Sequence, residues 1–286
     1  MRQAIWIVWI AAALAQDQPS PPVVVSNTGT PMRLPFRCTE GDMRWAGMSC
    51  SREDPCPVYL ELTAVEPTGG QLFVTGNIHA QTVTLYSVLL GSDDAGKTWR
   101  EAFPRIRGAG LDHLQFADLA NGWASGQELS PLPQEPFLLS TTDGGKTWQR
   151  RAVFDETRVG SIQQFFFSSK SDGSLVFDRG QGSESGRYEL YESPNGGATW
   201  VLKQASSRAL RLKNGPAEPA LWRVRADGPT QSFRIEHQQG ERWNAAASFL
   251  VDLGTCQPEP LSLAPTEPEP APAPAPTPAP RSRPKK

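Results

Sequence analysis

Ser92-Asp93-Asp94-Ala95-Gly96-Lys97-Thr98-Trp99 returns as Thr141-Thr142-Asp143-Gly144-Gly145-Lys146-Thr147-Trp148, and again as Ser193-Pro194-Asn195-Gly196-Gly197-Ala198-Thr199-Trp200. The shared pattern is Ser/Thr-x-Asp/Asn-x-Gly-x-Thr-Trp, and its tryptophans recur about every fifty residues, a period that predicts stacked units of one supersecondary type. A decayed fourth copy, Glu236-His237-Gln238-Gln239-Gly240-Glu241-Arg242-Trp243, keeps Gly240 and Trp243 and loses the rest. Terminal repeats often differ because they meet a closure rather than a like neighbour.

A second marker accompanies the first. Phe73-Val74-Thr75-Gly76, Trp123-Ala124-Ser125-Gly126 and Phe177-Asp178-Arg179-Gly180 share the form aromatic-x-x-Gly. Each precedes its tryptophan by about twenty residues, so the repeat unit is longer than the phrase. Residues 72–74, 82–90, 136–139, 162–167 and 175–177 are short runs rich in β-branched and aromatic side chains and read as strands. The run 82–90 is apolar on both alternating faces, as a strand packed between two sheets requires. Gly, Asp, Asn, Ser and Pro separate the runs, and no stretch beyond the leader has a sustained helical period.

The phrase suits a hairpin turn. Asp-Gly and Asn-Gly steps supply positive φ at low steric cost, and the Asx side chain can accept from nearby backbone N–H groups. The tryptophan then opens the returning strand and buries a large ring. The pattern resembles the Asp-box, or bacterial neuraminidase repeat, of sialidases, sortilin-like receptors and photosystem II assembly factors. That resemblance implies a β-propeller in which each box joins the third and fourth strands of a blade. The box residues are Ser92, Asp94, Gly96, Thr98 and Trp99; Thr141, Asp143, Gly145, Thr147 and Trp148; and Ser193, Asn195, Gly197, Thr199 and Trp200, with Gly240 and Trp243 as remnants. The expected fold is all-β: a small propeller of four to five blades with a disordered Pro-rich C-terminal tail.

Residues 1–15 read as a secretory signal peptide: Arg2, an apolar core and the small-x-small ending Ala13-Leu14-Ala15. Its core is too short to span a membrane, and no later segment is a candidate. Four cysteines in an exported chain imply two disulfides. Cys38, Cys50 and Cys56 precede the repeats and Cys256 follows them, so one bond from this cluster to Cys256 would tie the ends together. Residues 16–57 are expected to close the domain, residues 58–256 to form the propeller, and residues 257–286 to form a polyproline II spacer with a basic end. That end can contact an anionic envelope surface. A formal charge of −2 offers no basic stripe for nucleic acid.

The sequence carries no clear catalytic set. The sialidase resemblance implies three arginines, a Tyr–Glu nucleophile pair and an acidic Asp, with the first arginine in an Arg-Ile-Pro motif before the first box. The nearest string, Pro104-Arg105-Ile106-Arg107, has the wrong order and follows that box. Arg187, Arg223 and Arg225 are further arginine candidates, and Glu61, Glu66, Asp112 and Asp118 are the carboxylates near the inner strands. Tyr188-Glu189 and Tyr191-Glu192 are adjacent in sequence, which on a strand sends their side chains to opposite faces. His79, His113 and His237 stand alone, and neither a cofactor nor a metal is expected. Strings such as Gly122-Trp123-Ala124-Ser125-Gly126 resemble the photosystem assembly factors. The expected role is an exported, periplasmic or extracellular, non-catalytic module for a protein or glycan partner. A sialidase-like glycoside hydrolase is the alternative.

Overall fold

The computed structural model describes residues 24–80, 83–129, 132–180, 186–213, 215 and 220–258. The stretch expected to be a signal peptide, most of the Pro-rich tail and Thr82 lie outside them. The described chain is almost entirely β and forms four antiparallel sheets. Strand β1 (Val24–Ser26) and helix α1 (Glu40–Ala46) come first. The first sheet then winds through β2 (Cys56–Thr68), β3 (Gln71–Ala80), β4 (Val83–Ser92) and β5 (Thr98–Phe103). The second holds β6 (Ala109–Phe116), β7 (Gly122–Glu128), β8 (Gln134–Thr141) and β9 (Gln149–Ala152). The third holds β10 (Ser161–Phe167), β11 (Gly173–Asp178), β12 (Tyr188–Ser193) and β13 (Val201–Ser206). The fourth has three strands, β14 (Trp222–Asp227), β15 (Ser232–Gln239) and β16 (Arg242–Leu250), and β17 (Asp252–Cys256) returns to the first sheet beside β2.

The sheets stack in the order fourth, first, second, third. One buried cluster joins the fourth to the first, with Ile235 and Phe249 against Leu72, Val74, Leu90 and Trp99. A second joins first to second, with Phe73 and Leu89 against Leu111, Phe137 and Trp148. A third joins second to third, with Trp123 and Leu138 against Phe167 and Leu175. Leu89 and Leu90 thus face different clusters, which is why β4 is apolar on both faces. Among the described residues no buried cluster joins the third sheet to the fourth.

Polar side chains lock the same boundaries. Thr63 Oγ1 donates to the Leu111 carbonyl at 2.8 Å, and the Leu111 N–H donates to Asn77 Oδ1 at 2.8 Å. Gln115 spans the next boundary: its amide donates to the Phe167 carbonyl and its oxygen accepts the Phe167 N–H, both at 2.8 Å.

Two sequence expectations need correction. The segment before β2 contains a helix, missed because seven residues are too few to show a period. Its start carries a capping box: Thr39 Oγ1 accepts the Asp42 N–H at 3.1 Å, and the Thr39 N–H donates to Asp42 Oδ2 at 2.9 Å. Asp42 also accepts from the Tyr86 hydroxyl at 2.5 Å and from Arg107 at 2.9 Å, which fastens the helix to β4. The second correction concerns the third aromatic-x-x-Gly marker. Leu62 faces Gly76 and Leu111 faces Gly126, each just before a bulge on the inner strand. At the same place in the third sheet Ile162 faces Phe177. Gly76 and Gly126 are equivalent, therefore, but their counterpart is Phe177, not Gly180, and the counterpart of Phe73 and Trp123 is Ser174. A Cβ on Gly76 or Gly126 would lie 2.3 Å from a carbonyl oxygen of the inner strand, whereas Gly180 has open space around it.

Candidate functional site

The three repeated phrases form the turns β4–β5, β8–β9 and β12–β13. In the first, Asp94 Oδ1 accepts from Ser92 Oγ at 2.9 Å and from the Thr98 N–H at 2.8 Å, and Oδ2 accepts from Thr98 Oγ1 at 2.7 Å. Ser92 Oγ in turn accepts the Gly96 N–H at 2.8 Å. In the second, Asp143 Oδ1 accepts from Thr141 Oγ1 at 2.8 Å and the Thr147 N–H at 2.9 Å, with Thr147 Oγ1 on Oδ2 at 2.6 Å. The Gly145 N–H donates to Thr141 Oγ1 at 2.9 Å. These donors, led by the Thr98 backbone in one turn and the Thr147 hydroxyl in the other, hold both carboxyls down at about 2. In the third turn the amide of Asn195 donates to Thr199 Oγ1 at 2.9 Å, and its Oδ1 accepts the Thr199 N–H at 2.9 Å. Ser193 Oγ accepts the Gly197 N–H at 2.9 Å.

The tryptophans divide. Trp99 and Trp148 donate their indole N–H to the Gly96 and Gly145 carbonyls, at 3.1 and 3.2 Å. The Trp200 indole N–H is buried without an acceptor among the described residues. The Gly196 carbonyl in that turn instead accepts Trp123 Nε1 of the second sheet at 3.0 Å. Gly240 lies in a different structure, a two-residue hairpin closed by the Gln239–Arg242 pair. Trp243 is half-buried on β16 with the Arg223 guanidinium 4.0 Å from its ring centre.

The cysteines pair as Cys38–Cys256 and Cys50–Cys56. Cys56 and Cys256 are direct cross-strand neighbours on β2 and β17, yet each bonds to the segment before the first sheet. The first bond ties that segment to β17 and the second ties it to β2.

A cavity of about 600 Å³ opens where the inner strands β2, β6 and β10 approach one another. Glu66, His113, Phe116, Phe165 and Phe166 line it, with Leu212 on the covering loop, whose N–H donates to Gln164 Oε1 at 3.2 Å. Burial alone pushes the Glu66 carboxyl up to about 7, and no hydrogen bond or ion pair to it forms among the described residues. His113 sits 6.1 Å from the Phe165 ring centre. The site thus joins one desolvated carboxyl and one imidazole to an aromatic wall. Arginine is not among the described residues that line it.

The other sequence candidates are held elsewhere. Arg105 pairs with Glu101, Arg107 with Asp42, Arg187 with Asp178, and Arg223 and Arg225 with Glu236. Glu61 lies 3.9 Å from His79, Asp112 accepts from Gln127 at 2.6 Å, and Asp118 caps its own loop through the Ala120 and Asn121 N–H groups. His237 stacks on Trp222 at 4.6 Å. Among the described residues no group of three or more His, Cys, Asp or Glu could hold a metal ion, and no helix is long and apolar enough to cross a membrane.

A second cluster was not legible. Tyr191 donates to Glu189 Oε2 at 2.6 Å, and Arg158 donates to the Tyr191 oxygen at 2.6 Å and to Glu189 at 3.2 Å. Arg179 reaches Glu189 from the other side at 3.1 Å. Burial and the Glu189 carboxylate push Tyr191 up to about 12. Adjacent Tyr–Glu pairs do point apart, but residues two apart share a face, and that spacing was the signal available in the sequence.

No protein-family model matches the chain, and no curated protein does. Five chains among solved structures match. The chain is similar to a structure of YCF48 bound to D1 peptide, with 16% identity and a TM-score of 0.38, over 68% of this chain. It spans 58% of that chain, and a likeness of this size carries no inference about function.

Proposed function

We propose that this chain is an exported, propeller-like binding module, with a protein or glycan partner that enters the cavity between β2, β6 and β10. The observation that carries the reading is the cavity itself: aromatic rings beside one unpartnered carboxyl and one imidazole, on the rigid inner strands of three sheets. A concave, largely aromatic lining with a few convergent polar groups is the usual form of a ligand site. The sheets supply a fixed frame and the loops between them supply variation. Two disulfides support export, because such bonds persist in oxidising compartments. The boxes serve as blade fasteners, and the basic end of the tail is a contact for an anionic envelope surface.

The test is crosslinking capture from the native envelope with the full chain and with Phe165→Ala and Glu66→Ala variants. Partners should be captured by the wild type and lost from both variants, each first shown to be folded by its near-UV spectrum. Capture that is indifferent to both substitutions would sink the reading.

The glycoside hydrolase alternative is favoured by one observation, the Tyr191–Glu189 pair flanked by Arg158 and Arg179. It lies between the second and third sheets, away from the inner strands. With Tyr191 raised to about 12, the phenol is a hydrogen-bond donor at neutral pH. Hydrolysis of a fluorogenic sialoside at enzyme-like rates, abolished by Tyr191→Phe, would establish this alternative in place of the binding module.

A further inference from the structure

A strand at the edge of a sheet exposes unpaired backbone groups, and proteins cover or guard such edges. Among the described residues the four outer edges are treated unequally. On the first sheet, β1 pairs with β5, Val25 opposite Trp99 and Ser26 opposite Thr98. On the fourth, the Met32 N–H donates to the Ser248 carbonyl and the Leu250 N–H to the Met32 carbonyl, both at 2.8 Å. On the second, β9 is four residues long and carries two exposed arginines, Arg150 and Arg151. The third ends on β13, whose partner in the sheet is β12 alone. Its sequence, Val201-Leu202-Lys203-Gln204-Ala205-Ser206, has one charge, and that charge pairs with Glu192. Val201 is 52% exposed and Leu202 49%.

This edge also has a pocket on each face. Trp200 and Leu202 line a cavity of about 710 Å³ with Arg158, Glu189 and Tyr191. Val201 and Lys203 line one of about 290 Å³ with Phe166 and Ser174. The alternation is that of a strand, and an added strand would continue it, sending successive side chains to the two pockets in turn. Their chemistry differs. The larger gathers Arg158 and Arg179 around Glu189 beside Trp200, whose buried indole N–H lacks an acceptor among the described residues. An acceptor brought to that donor would relieve its desolvation. The smaller sets the Phe166 and Val201 side chains among Ser168, Asp172, Glu192 and Lys203. Beyond β13 the chain continues through exposed Arg208, Arg211 and Lys213, a positive flank.

We propose that the outer edge of β13 is a docking site for an extended, acidic segment of a partner protein, which adds to the third sheet as an antiparallel fifth strand. Carboxylate side chains enter the Arg158 and Trp200 pocket, and the alternate apolar side chains enter the Phe166 pocket. Main-chain bonds supply affinity and the two pockets supply sequence preference. The pairing of β1 with β5 is the same arrangement made within the chain: there too the added strand lies beside the residues that follow a repeated turn.

The probe is a fluorescein-labelled peptide, acetyl-Val-Glu-Val-Glu-Val-amide, titrated against the full, oxidised chain and followed by anisotropy. The expected result is saturable binding, weakened at least about tenfold by Leu202→Asp and by Arg158→Gln and unchanged by Arg151→Asp on β9, where a factor of ten is 1.4 kcal/mol. A valine-to-lysine version of the peptide should bind no better than background. Because strand pairing uses the peptide backbone, N-methylation at one alternating set of residues should abolish binding and at the other set should not. Hydrogen exchange should slow at residues 201–206 on binding. Three results would overturn the proposal: no binding up to about 1 mM, equal binding by both N-methylated peptides, or self-association of the chain through β13 in place of peptide binding.

Discussion

Gly96, Gly145 and Gly197 hold the same place in three copies of one turn, yet alanine should cost different amounts at each. All three have positive φ, 90°, 81° and 86°, so the backbone strain of an L side chain, about 1–2 kcal/mol, is common to the series. The neighbours are not. A Cβ on Gly96 would meet the Ala246 carbonyl oxygen at 3.5 Å, ordinary contact. On Gly197 it would meet Leu138 Cδ1 at 3.1 Å, a flexible end that can shift slightly. On Gly145 it would sit 2.1 Å from Phe73 Cζ and 2.7 Å from both Cε atoms. Phe73 is fully buried and braced by Phe116 at 5.3 Å and Trp148 at 5.7 Å, so its ring has nowhere to go. Overpacking of that kind adds about 1–3 kcal/mol. The expected losses are therefore about 1–2 kcal/mol for Gly96→Ala, slightly more for Gly197→Ala, and about 3–4 kcal/mol for Gly145→Ala. Urea denaturation of the oxidised proteins measures this as a fall in midpoint at constant m-value. Equal losses at all three positions would show that the glycines serve the turn alone, and a larger loss at Gly96 would refute the packing argument outright.

Glu66→Gln should change the pH dependence of stability. Because the Glu66 carboxyl is raised from 4.5 to about 7, the native state holds its proton more tightly than the unfolded chain, so wild-type stability falls as pH rises through that window. The variant should lack this loss and be more stable at pH 8 by about 1–2 kcal/mol, a figure discounted for water reaching the half-buried group; identical pH profiles would refute it. Trp99→Phe should cost more than Trp200→Phe in the same denaturation assay, by about 1 kcal/mol, because only the first removes a made hydrogen bond. Loss of the Cys38–Cys256 bond, which closes 218 residues, should destabilise by about 5 kcal/mol in the chain-entropy account, against about 2 kcal/mol for the Cys50–Cys56 bond, which closes 6; equal losses would argue against it.

The parts of this architecture set by local chemistry were readable from the chain. The turns are legible because Asp94, Asp143 and Asn195 bond within four residues of themselves, so their signature is contiguous. The double-faced burial of β4 is legible because a strand between two sheets must be apolar on both sides. The bond from the N-terminal cysteine cluster to Cys256 follows from the need to join the ends. What was hidden depends on partners distant in sequence. Glu66 read as one of four carboxylates near the inner strands and His113 as a histidine standing alone, and only the approach of β2, β6 and β10 brings them to one cavity. Arg158 is remote from Glu189 and Tyr191 along the chain, and neither end of that cluster announces the other. Val25 and Met32 lie in the segment expected to close the domain, but which edges they cover was silent, because covering an edge needs backbone groups and leaves no side-chain signature.

The misplaced third marker explains why the third boundary differs from the others. At the first two boundaries the aromatic of one repeat meets the turn of the next: Phe73 lies under Gly145, and Trp123 reaches the Gly196 carbonyl and stacks on Phe167 at 3.8 Å. The two markers travel together because they are two halves of one contact between neighbours. At the third boundary the aromatic half is gone: Ser174 stands where the ring would be, and among the described residues no buried cluster joins the third sheet to the fourth. With no ring to fill it, the space beside Ser174 is the smaller pocket on β13. Without that ring the face of the third sheet beside Ser174 stays open, and because Val201 and Lys203 of the edge strand β13 line the same pocket, a strand added at that edge would send its alternate side chains there.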